Sequence, residues 1–202
     1  MTANTTARPD TVDELAAIAP GSRLDELRRR RPVTREQVQA SFDALFSPLD
    51  DTEISLTERW LIAAFASALA GDTSSSRFYA EQAERADATA ASLVAALAAS
   101  AAASGPYGAY SEVELQSENT AGLVFTVGAE GDTLGARLTS AIEHTHLLVF
   151  RPRESSADAL DTLRAAGWSV DGIVTLSQLV AFLSFQQRVV EGLRVLAEEA
   201  AA

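Results

Sequence analysis

The chain has 202 residues, of which 47% are apolar, enough for one domain with a hydrophobic core and short for two. Its formal net charge is −12 and every basic residue is an arginine, so neither nucleic acid nor an anionic lipid surface is an expected partner. The sequence contains no cysteine, which excludes a disulfide, a thiolate nucleophile and a thiolate metal site. Much of the apolar fraction is alanine, the best helix former, which favours closely packed helices over sheets.

The overall organisation follows from the same composition. Residues 1–10 are small and polar with one proline, so we expect a disordered tail. They lack the apolar core of a secretory signal, and the longest strongly apolar stretch, Ile173–Phe185, is shorter than the roughly 20 residues of a spanning helix. We therefore expect a cytoplasmic protein without membrane contact. Residues 11–202 are predicted to form one helical domain, with N-terminal helices over 11–54 and a core over 55–197.

Helix start and stop signals divide the first half of the chain. Capping residues, apolar stripes and Pro or Gly stops predict these helices: Thr11–Ile18, Ser22–Arg30, Thr34–Phe46, Ser55 or Thr57 to Leu69 or Ala70, and Arg77–Ser104. The fourth helix is apolar on two faces, so we expect it to be buried on most sides. The basic cluster Arg28–Arg31 is either an anion- or partner-binding patch or a solvated helix C-terminus, where cations oppose the helix dipole, and we favour the solvated C-terminus.

The second half of the chain is predicted to contain three helices. They run from Asp132 or Thr133 to Phe150, from Ala157 to Ala166, and from Val170 to about Glu198. Residues 106–131 are predicted to be mostly irregular. Residues 123–127 alternate weakly and could form a short strand, but a lone strand would have no partner, so we favour a loop. The last helix is apolar around so much of its circumference that we place it at the centre of the core or in a subunit interface.

Two segments of the chain resemble a known family. The first is LTERWLIA at Leu56–Ala63, continuing through SALAG at Ser67–Gly71, and the second is AAGWS at Ala165–Ser169, leading into the long helix Leu179–Val190. Together they resemble peroxidase-related proteins of the alkylhydroperoxidase/carboxymuconolactone decarboxylase superfamily over Leu56–Leu196, and are most similar to a cysteine-free branch of carboxymuconolactone decarboxylase domain proteins. The resemblance implies an all-α, alkylhydroperoxidase-like helical domain with a long C-terminal helix. It also implies a homo-oligomer in which long helices pack between subunits.

The resemblance also implies where redox chemistry would lie. Redox members of the family place a Cys-x-x-Cys pair in the turn after the signature helix, and these cysteines fall at Asp72 and Ser75. A family histidine one helical turn later falls at Tyr79, and a family glutamate falls at Trp60, with Glu58 half a turn away. A serine hydroxyl cannot reach the sulfenate and disulfide states that thiol-based peroxide reduction needs. The chain is therefore predicted not to be a thiol peroxidase on its own.

The two histidines, His144 and His146, are candidates for acid–base chemistry. Residues two apart on a helix point about 200° away from each other, so the two rings cannot readily share a metal ion. One of them is expected to face the interior. Either histidine could be a general acid or base, tuned by Glu143 or by a carboxylate elsewhere in the chain. The favoured alternative is a hydrogen-bonded histidine in the core or in an interface.

The turn after the signature helix is the second candidate site. Asp72 could act as a base and Tyr79 as a proton donor, whereas the favoured alternative is that Asp72 and the following serines cap the next helix. The residues predicted to line a pocket are Glu58, Trp60, Ser75 and Gln178. Gln178 lies in an apolar helix, where an amide needs a partner, so it either lines a polar pocket or bonds across a subunit interface, and we favour the interface.

Three functions fit these features. The first is binding of a small organic molecule with acid–base chemistry, on a lactone or carbonyl substrate. The second is a non-catalytic structural or regulatory partner of a cysteine-containing relative, and the third is a small-molecule binding module. The sequence has no phosphate-binding glycine loop, dinucleotide fingerprint or metal-ligand spacing, so no cofactor and no metal are predicted.

Overall fold

The computed structural model describes residues 10–71 and 73–201, without the side chains of Ala200 and Ala201. In chain order the α-helices are α1 (Thr11–Leu15), α2 (Arg23–Arg29), α3 (Pro32–Phe46), α4 (Leu56–Ala68), α5 (Ser74–Ala86), α6 (Ala88–Ala101), α7 (Gly131–Phe150), α8 (Ala157–Ala165) and α9 (Val170–Ala201). Short 3-10 helices span Val113–Glu118 and Pro152–Glu154. These described ranges contain no strand, so the predicted all-α class is confirmed.

Helix α4 is the central element and packs against α5, α6, α7 and α9. A capping box starts it: Ser55 Oγ accepts the Glu58 N–H, and the Glu58 carboxylate accepts the Ser55 N–H at 2.8 Å. Residues 61–67 of α4 are all buried, as its two apolar faces predict. The inner face of α9 completes the core, with Leu179 and Leu183 fully buried.

The predicted single helix Arg77–Ser104 is wrong, because the chain divides it into α5 and α6. At Asp87 the backbone leaves the helical region, with φ −159° and ψ 98°, and the Asp87 side chain accepts the Ala90 N–H at 2.9 Å. An unbroken helix of this length would extend about 40 Å at 1.5 Å per residue, far beyond the shorter α4. The break allows both α5 and α6 to pack against α4.

Helices α1, α2 and α3 are joined by an ionic network. Arg28 bonds Asp10 and Asp13, and Arg35 bonds Asp10 at 2.9 Å, Asp13 at 2.5 Å and Asp25 at 3.5 Å. All five side chains are buried or partly buried. Neither interpretation of the Arg28–Arg31 cluster predicted this pairing, which joins residues of three consecutive helices.

The starts of two helices differ from their predicted positions. Asp10 caps α1 by accepting the N–H groups of Val12 and Asp13, so Thr11 is the first helical residue and not the cap. Asp10 is therefore an ordered residue, while the rest of the predicted tail, residues 1–9, lies outside the described ranges. Pro32, predicted as the stop of the second helix, is the first residue of α3, and no side chain at Arg31 caps that helix.

An irregular segment between α6 and α7 is held by Tyr107. The buried Tyr107 ring stacks on Phe150 with ring centroids 5.9 Å apart, and its hydroxyl donates to the Leu123 carbonyl at 3.1 Å. Residues 123–127 form no strand, as predicted. Helix α7 then begins with a short turn that is separated from the rest of the helix at Gly135, whose φ of 78° favours glycine.

Helix α9 spans Val170–Ala201, close to the predicted range of Val170 to about Glu198. Its segment Val170–Glu199 is long and apolar enough to cross a membrane by length and composition. The sequence-based expectation counted only Ile173–Phe185 and treated the polar residues as interruptions. Core helices of soluble proteins meet the same criteria, so the expected lack of membrane contact stays a prediction.

Candidate functional site

Tyr79 lies in an aromatic cluster between α3, α4 and α5. It is fully buried, and its ring centroid lies 5.5 Å from that of Phe46, 6.3 Å from that of Trp60 and 5.1 Å from that of Phe78. Trp60 stacks on Phe46 at 4.2 Å. Tyr79 and Trp60 are the two positions at which the resemblance implies a family histidine and a family glutamate.

The Tyr79 hydroxyl bonds to the core of the same chain. It donates to Oε1 of Gln186 on α9 at 2.5 Å. Burial raises the pKa of Tyr79 well above its ordinary value, and the hydrogen bond to Gln186 offsets only part of this effect. A phenol held in this way remains protonated near neutral pH, and its O–H is already bonded to Gln186.

The turn before Tyr79 is built to start a helix. Thr73 Oγ1 accepts the Ser76 N–H at 3.0 Å, and Ser76 Oγ accepts the Thr73 N–H at 2.8 Å, which forms a capping box for α5. Ser75 is buried in the first turn of this helix. Asp72, the predicted base, lies outside the described residues. The sequence analysis expected caps here but did not single out Thr73.

Both carboxylate oxygens of Glu58 accept hydrogen bonds that hold the fold together. Its Oε2 closes the capping box of α4, and its Oε1 accepts a hydrogen bond from Arg137 Nε on α7 at 2.7 Å. Arg137 also lies over the Trp168 ring, 3.9 Å from its centroid. Glu58 thus joins α4 to α7 instead of facing a pocket with Ser75.

Both histidines of α7 are buried, where one was expected to be. The Nε2 atom of His146 lies 3.2 Å from the Ala101 carbonyl, and its ring packs between Phe125 and Phe150 at 5.2 and 5.0 Å. Burial lowers the pKa of both histidines; for His146 the Ala101 carbonyl opposes this shift and Arg151 adds to it.

Glu143, the carboxylate nearest to the two histidines in sequence, is not among the causes of the pKa shift of either histidine. Glu143 Oε1 accepts the Val127 N–H at 2.8 Å and so holds the irregular segment against α7. None of four cavities in the described part of the chain is lined by His144, His146 or Tyr79. The described candidate catalytic residues are therefore not gathered around a shared cavity.

The first of these cavities, here called the α4–α7–α9 groove, has a volume of about 570 Å³. Its walls include Leu69 at the end of α4, Phe150 at the end of α7 and Val180 on α9. The side chains that contribute polar atoms to the groove are Ser177, Ser184, Gln187 and Arg188. The Oε1 atom of Gln187 is buried without a hydrogen-bond partner among the described residues.

A second cavity, here called the Arg59 cavity, has a volume of about 450 Å³ and lies between α3, α4 and α9. It is lined by Ser41, Ala44, Leu45, Pro48, Asp50, Arg59, Thr175, Gln178 and Phe182. Gln178, one of the predicted pocket residues, is thus a cavity-lining residue, but its cavity does not include Glu58, Trp60 or Ser75. Arg59 was not predicted as a site residue, although a cation inside the apolar stripe of α4 is a visible signal in the sequence.

Groups of three or more His, Asp or Glu side chains that could hold a metal ion are absent from the described residues. Comparison of the chain with family models, with curated proteins and with solved structures gives no significant match. The resemblance to the alkylhydroperoxidase/carboxymuconolactone decarboxylase superfamily therefore stays a prediction, while the all-helical architecture is established by the structure.

Proposed function

We propose that this protein is a cysteine-free member of the alkylhydroperoxidase-like superfamily that binds a small organic molecule in the α4–α7–α9 groove. The observation that carries the proposal is the groove itself. Its volume of about 570 Å³ lies in the range of small-molecule sites, and its mostly apolar walls carry a few polar groups. The buried Oε1 of Gln187 lacks a donor, and a ligand hydroxyl or amide could supply one.

The proposed activity is binding of a small molecule in the groove, without thiol redox chemistry. No residue of the chain can form a sulfenate or a disulfide, because the sequence contains no cysteine. The groove is lined by no carboxylate and no imidazole, so acid–base turnover has no support from its geometry. The buried histidines support a structural role better than a catalytic one.

Binding can be tested with Nile red, a neutral dye whose fluorescence rises in apolar sites. Ala181 is an exposed residue of α9 at the groove, so Ala181→Trp should block the groove without disturbing the core. We expect this variant to weaken dye binding about tenfold or more, a loss of about 1.4 kcal/mol.

The matched control is Val174→Trp, at an exposed position of the same helix that does not line the groove. It should bind Nile red as the wild type does. Equal binding by wild type and Ala181→Trp would contradict the groove as the site. Catalytic consumption of hydroperoxide by the metal-free chain alone would contradict the proposal that it lacks redox activity.

A second candidate function is that of a subunit in a homo-oligomer. Helix α9 carries an exposed row of residues at alternating steps of four and three, here called the α9 outer stripe: Val174, Gln178, Ala181, Phe185, Arg188, Gly192 and Val195. This spacing is the one that lets two helices interlock side chains along a shared seam. Phe185 is 45% exposed, an unusual degree for a phenylalanine unless another surface covers it.

The mass in solution tests the subunit role. We expect light scattering after size exclusion to give a multiple of the 21.3 kDa chain mass, and Phe185→Glu to reduce it to the monomer. Leu49→Glu makes the same chemical change at a fully exposed position in the α3–α4 loop and should leave the mass unchanged. A monomeric wild type would exclude the homo-oligomer and leave a partner of another sequence as the alternative.

A further inference from the structure

The guanidinium of Arg59 belongs to a buried residue of the central helix. Its side chain extends from α4 with the whole residue only 5% exposed. Nε donates to the Ile54 carbonyl and Nη1 to the Leu45 carbonyl, both at 2.9 Å. These acceptors are neutral, and among the described residues no carboxylate forms an ion pair with Arg59.

A buried charge of this kind is costly unless a counter-charge or strong hydrogen bonds compensate it. Asp51 and Glu58 are close enough to raise the pKa of Arg59, but burial lowers it more than they raise it. Glu58 is already paired with Arg137. Hydrogen bonds to two carbonyl oxygens use Nε and Nη1 of the guanidinium, while Nη2 forms no hydrogen bond with a described residue.

Arg59 is one of the residues that line the Arg59 cavity. The cavity has an apolar part, formed by residues that include Leu45, Pro48 and Phe182 of α9, beside polar residues such as Asp50 and Gln178. A planar carboxylate matches the guanidinium geometry better than any other common anion of this size except phosphate. The apolar walls in turn favour a ligand with a hydrocarbon or aromatic body.

The charged residues that line the cavity determine which anions it can bind. Asp50 lines the cavity, and its side chain is held by the Thr52 N–H at 2.9 Å, which lowers the pKa of Asp50 and keeps it ionised. One arginine and one aspartate at the same cavity leave no excess positive charge for a dianion. A ligand with a single negative charge on the Arg59 side is the better match.

We propose that the Arg59 cavity binds a small organic monocarboxylate, with its carboxylate on Arg59 and its apolar body between Leu45 and Phe182. This site is separate from the α4–α7–α9 groove, with which it shares no lining residue. The two proposals are therefore independent. A result that contradicts binding in the groove does not contradict binding in the Arg59 cavity, and the reverse also holds.

Isothermal titration with phenylacetate, phenylacetamide and inorganic phosphate tests the ligand class. The acid and the amide have nearly the same shape and differ in charge. We expect phenylacetate to bind about tenfold or more tightly than phenylacetamide, and more tightly than phosphate. Equal affinity for acid and amide, tighter binding of phosphate, or no phenylacetate binding at about 10 mM would overturn the proposal.

Two variants locate the site. Ala44→Trp places a large ring in the Arg59 cavity from an exposed position on α3 and leaves Arg59 and its two carbonyl bonds intact. It should weaken phenylacetate binding about tenfold. Ala40→Trp, at an exposed position one turn earlier that does not line the cavity, is the matched control and should bind within about twofold of the wild type. An equal effect of both variants would overturn the assignment.

Arg59 itself is tested by Arg59→Lys, which keeps the charge and loses the planar fork. Circular dichroism should first verify that the variant is folded, because Arg59 also bonds the Leu45 carbonyl in the last turn of α3 and the Ile54 carbonyl in the α3–α4 loop. A folded Arg59→Lys that binds phenylacetate as well as the wild type would overturn the role of Arg59. If the variant does not fold, the Ala44→Trp and Ala40→Trp pair decides the question.

Discussion

The hydroxyl of Tyr79 and the amide of Gln186 form a buried polar pair in the core. Tyr79 donates to Gln186 Oε1, but Gln186 Nε2 is buried without an acceptor among the described residues. A half-satisfied amide of this kind costs free energy that an apolar side chain would not. The pair joins α5 to α9 and fixes the position of one helix relative to the other.

We expect Tyr79→Phe to lower the free energy of unfolding by about 1–3 kcal/mol, because it leaves Gln186 Oε1 buried without a donor. The double variant Tyr79→Phe/Gln186→Met should be more stable than Tyr79→Phe alone, since both unsatisfied groups are then gone. Urea unfolding measures both effects. Tyr110→Phe, on the surface loop, is the control and should change stability little. A double variant less stable than Tyr79→Phe would contradict this account.

The buried histidines predict a pH dependence whose sign follows from their lowered pKa values. In the unfolded chain each imidazole titrates at about 6.5, whereas in the folded protein burial lowers the pKa. Below pH 6.5 the unfolded state therefore binds more protons, and stability falls as the pH falls. Each histidine can contribute at most about 1.4 kcal/mol per pH unit.

Urea unfolding of the wild type and His146→Gln at pH 7.5 and pH 5.5 checks this sign. Glutamine cannot titrate, and its amide can still donate to the Ala101 carbonyl, the neighbour of His146 Nε2. We expect the variant to lose less stability than the wild type between the two pH values. A larger loss in the variant would mean that His146 is protonated in the folded protein.

At the scale of elements, helix boundaries could be predicted from the sequence where a capping residue or a Pro or Gly stop was present. Ser156 caps α8 by accepting the Ala159 N–H, and Ser169 accepts the Gly172 N–H at the start of α9. The break at Asp87 was missed because alanine-rich flanks favour a helix throughout, and only packing against α4 shows why the chain must turn there.

Asp87→Ala tests whether the cap fixes this break. Alanine cannot accept the Ala90 N–H, so we expect a loss of about 1 kcal/mol in unfolding free energy. Asp87→Asn keeps an accepting oxygen and should remain close to the wild type. Asp161→Ala removes an exposed aspartate that caps no helix and controls for the lost charge. Equal stability of Asp87→Ala and Asp87→Asn would show that packing alone places the break.

For the whole molecule, the sequence predicted the class and the central helix but not the cavities. The two apolar faces of α4 indicate burial without reference to any other helix, so its central place could be inferred. The Arg59 cavity and the α4–α7–α9 groove are each formed by helices far apart in sequence. Their residues share no motif, and a side chain such as Gln178 indicates only that a partner is needed.

The ionic network of α1–α3 gives the molecule a distinct response to acid. Burial alone would raise the pKa of Asp10, but hydrogen bonds from Arg28 and Arg35 outweigh it and hold the pKa below 3.8. A carboxyl whose folded pKa is lowered stabilises the protein fully above its unfolded pKa. This contribution is lost as the pH falls through the folded pKa, so the network should weaken below about pH 4.

The variant Arg35→Gln separates this network from other acid effects. At pH 7 we expect it to lower the unfolding free energy by about 1–3 kcal/mol, since Asp10 and Asp13 lose a partly buried partner. The difference from the wild type should narrow below about pH 4, where protonated carboxyls no longer need the cation. Arg30→Gln, at an exposed position next to the network, should show no such difference. A gap between wild type and Arg35→Gln that stays constant down to pH 3 would mean that Arg35 stabilises the N-terminal helices by packing and not by charge.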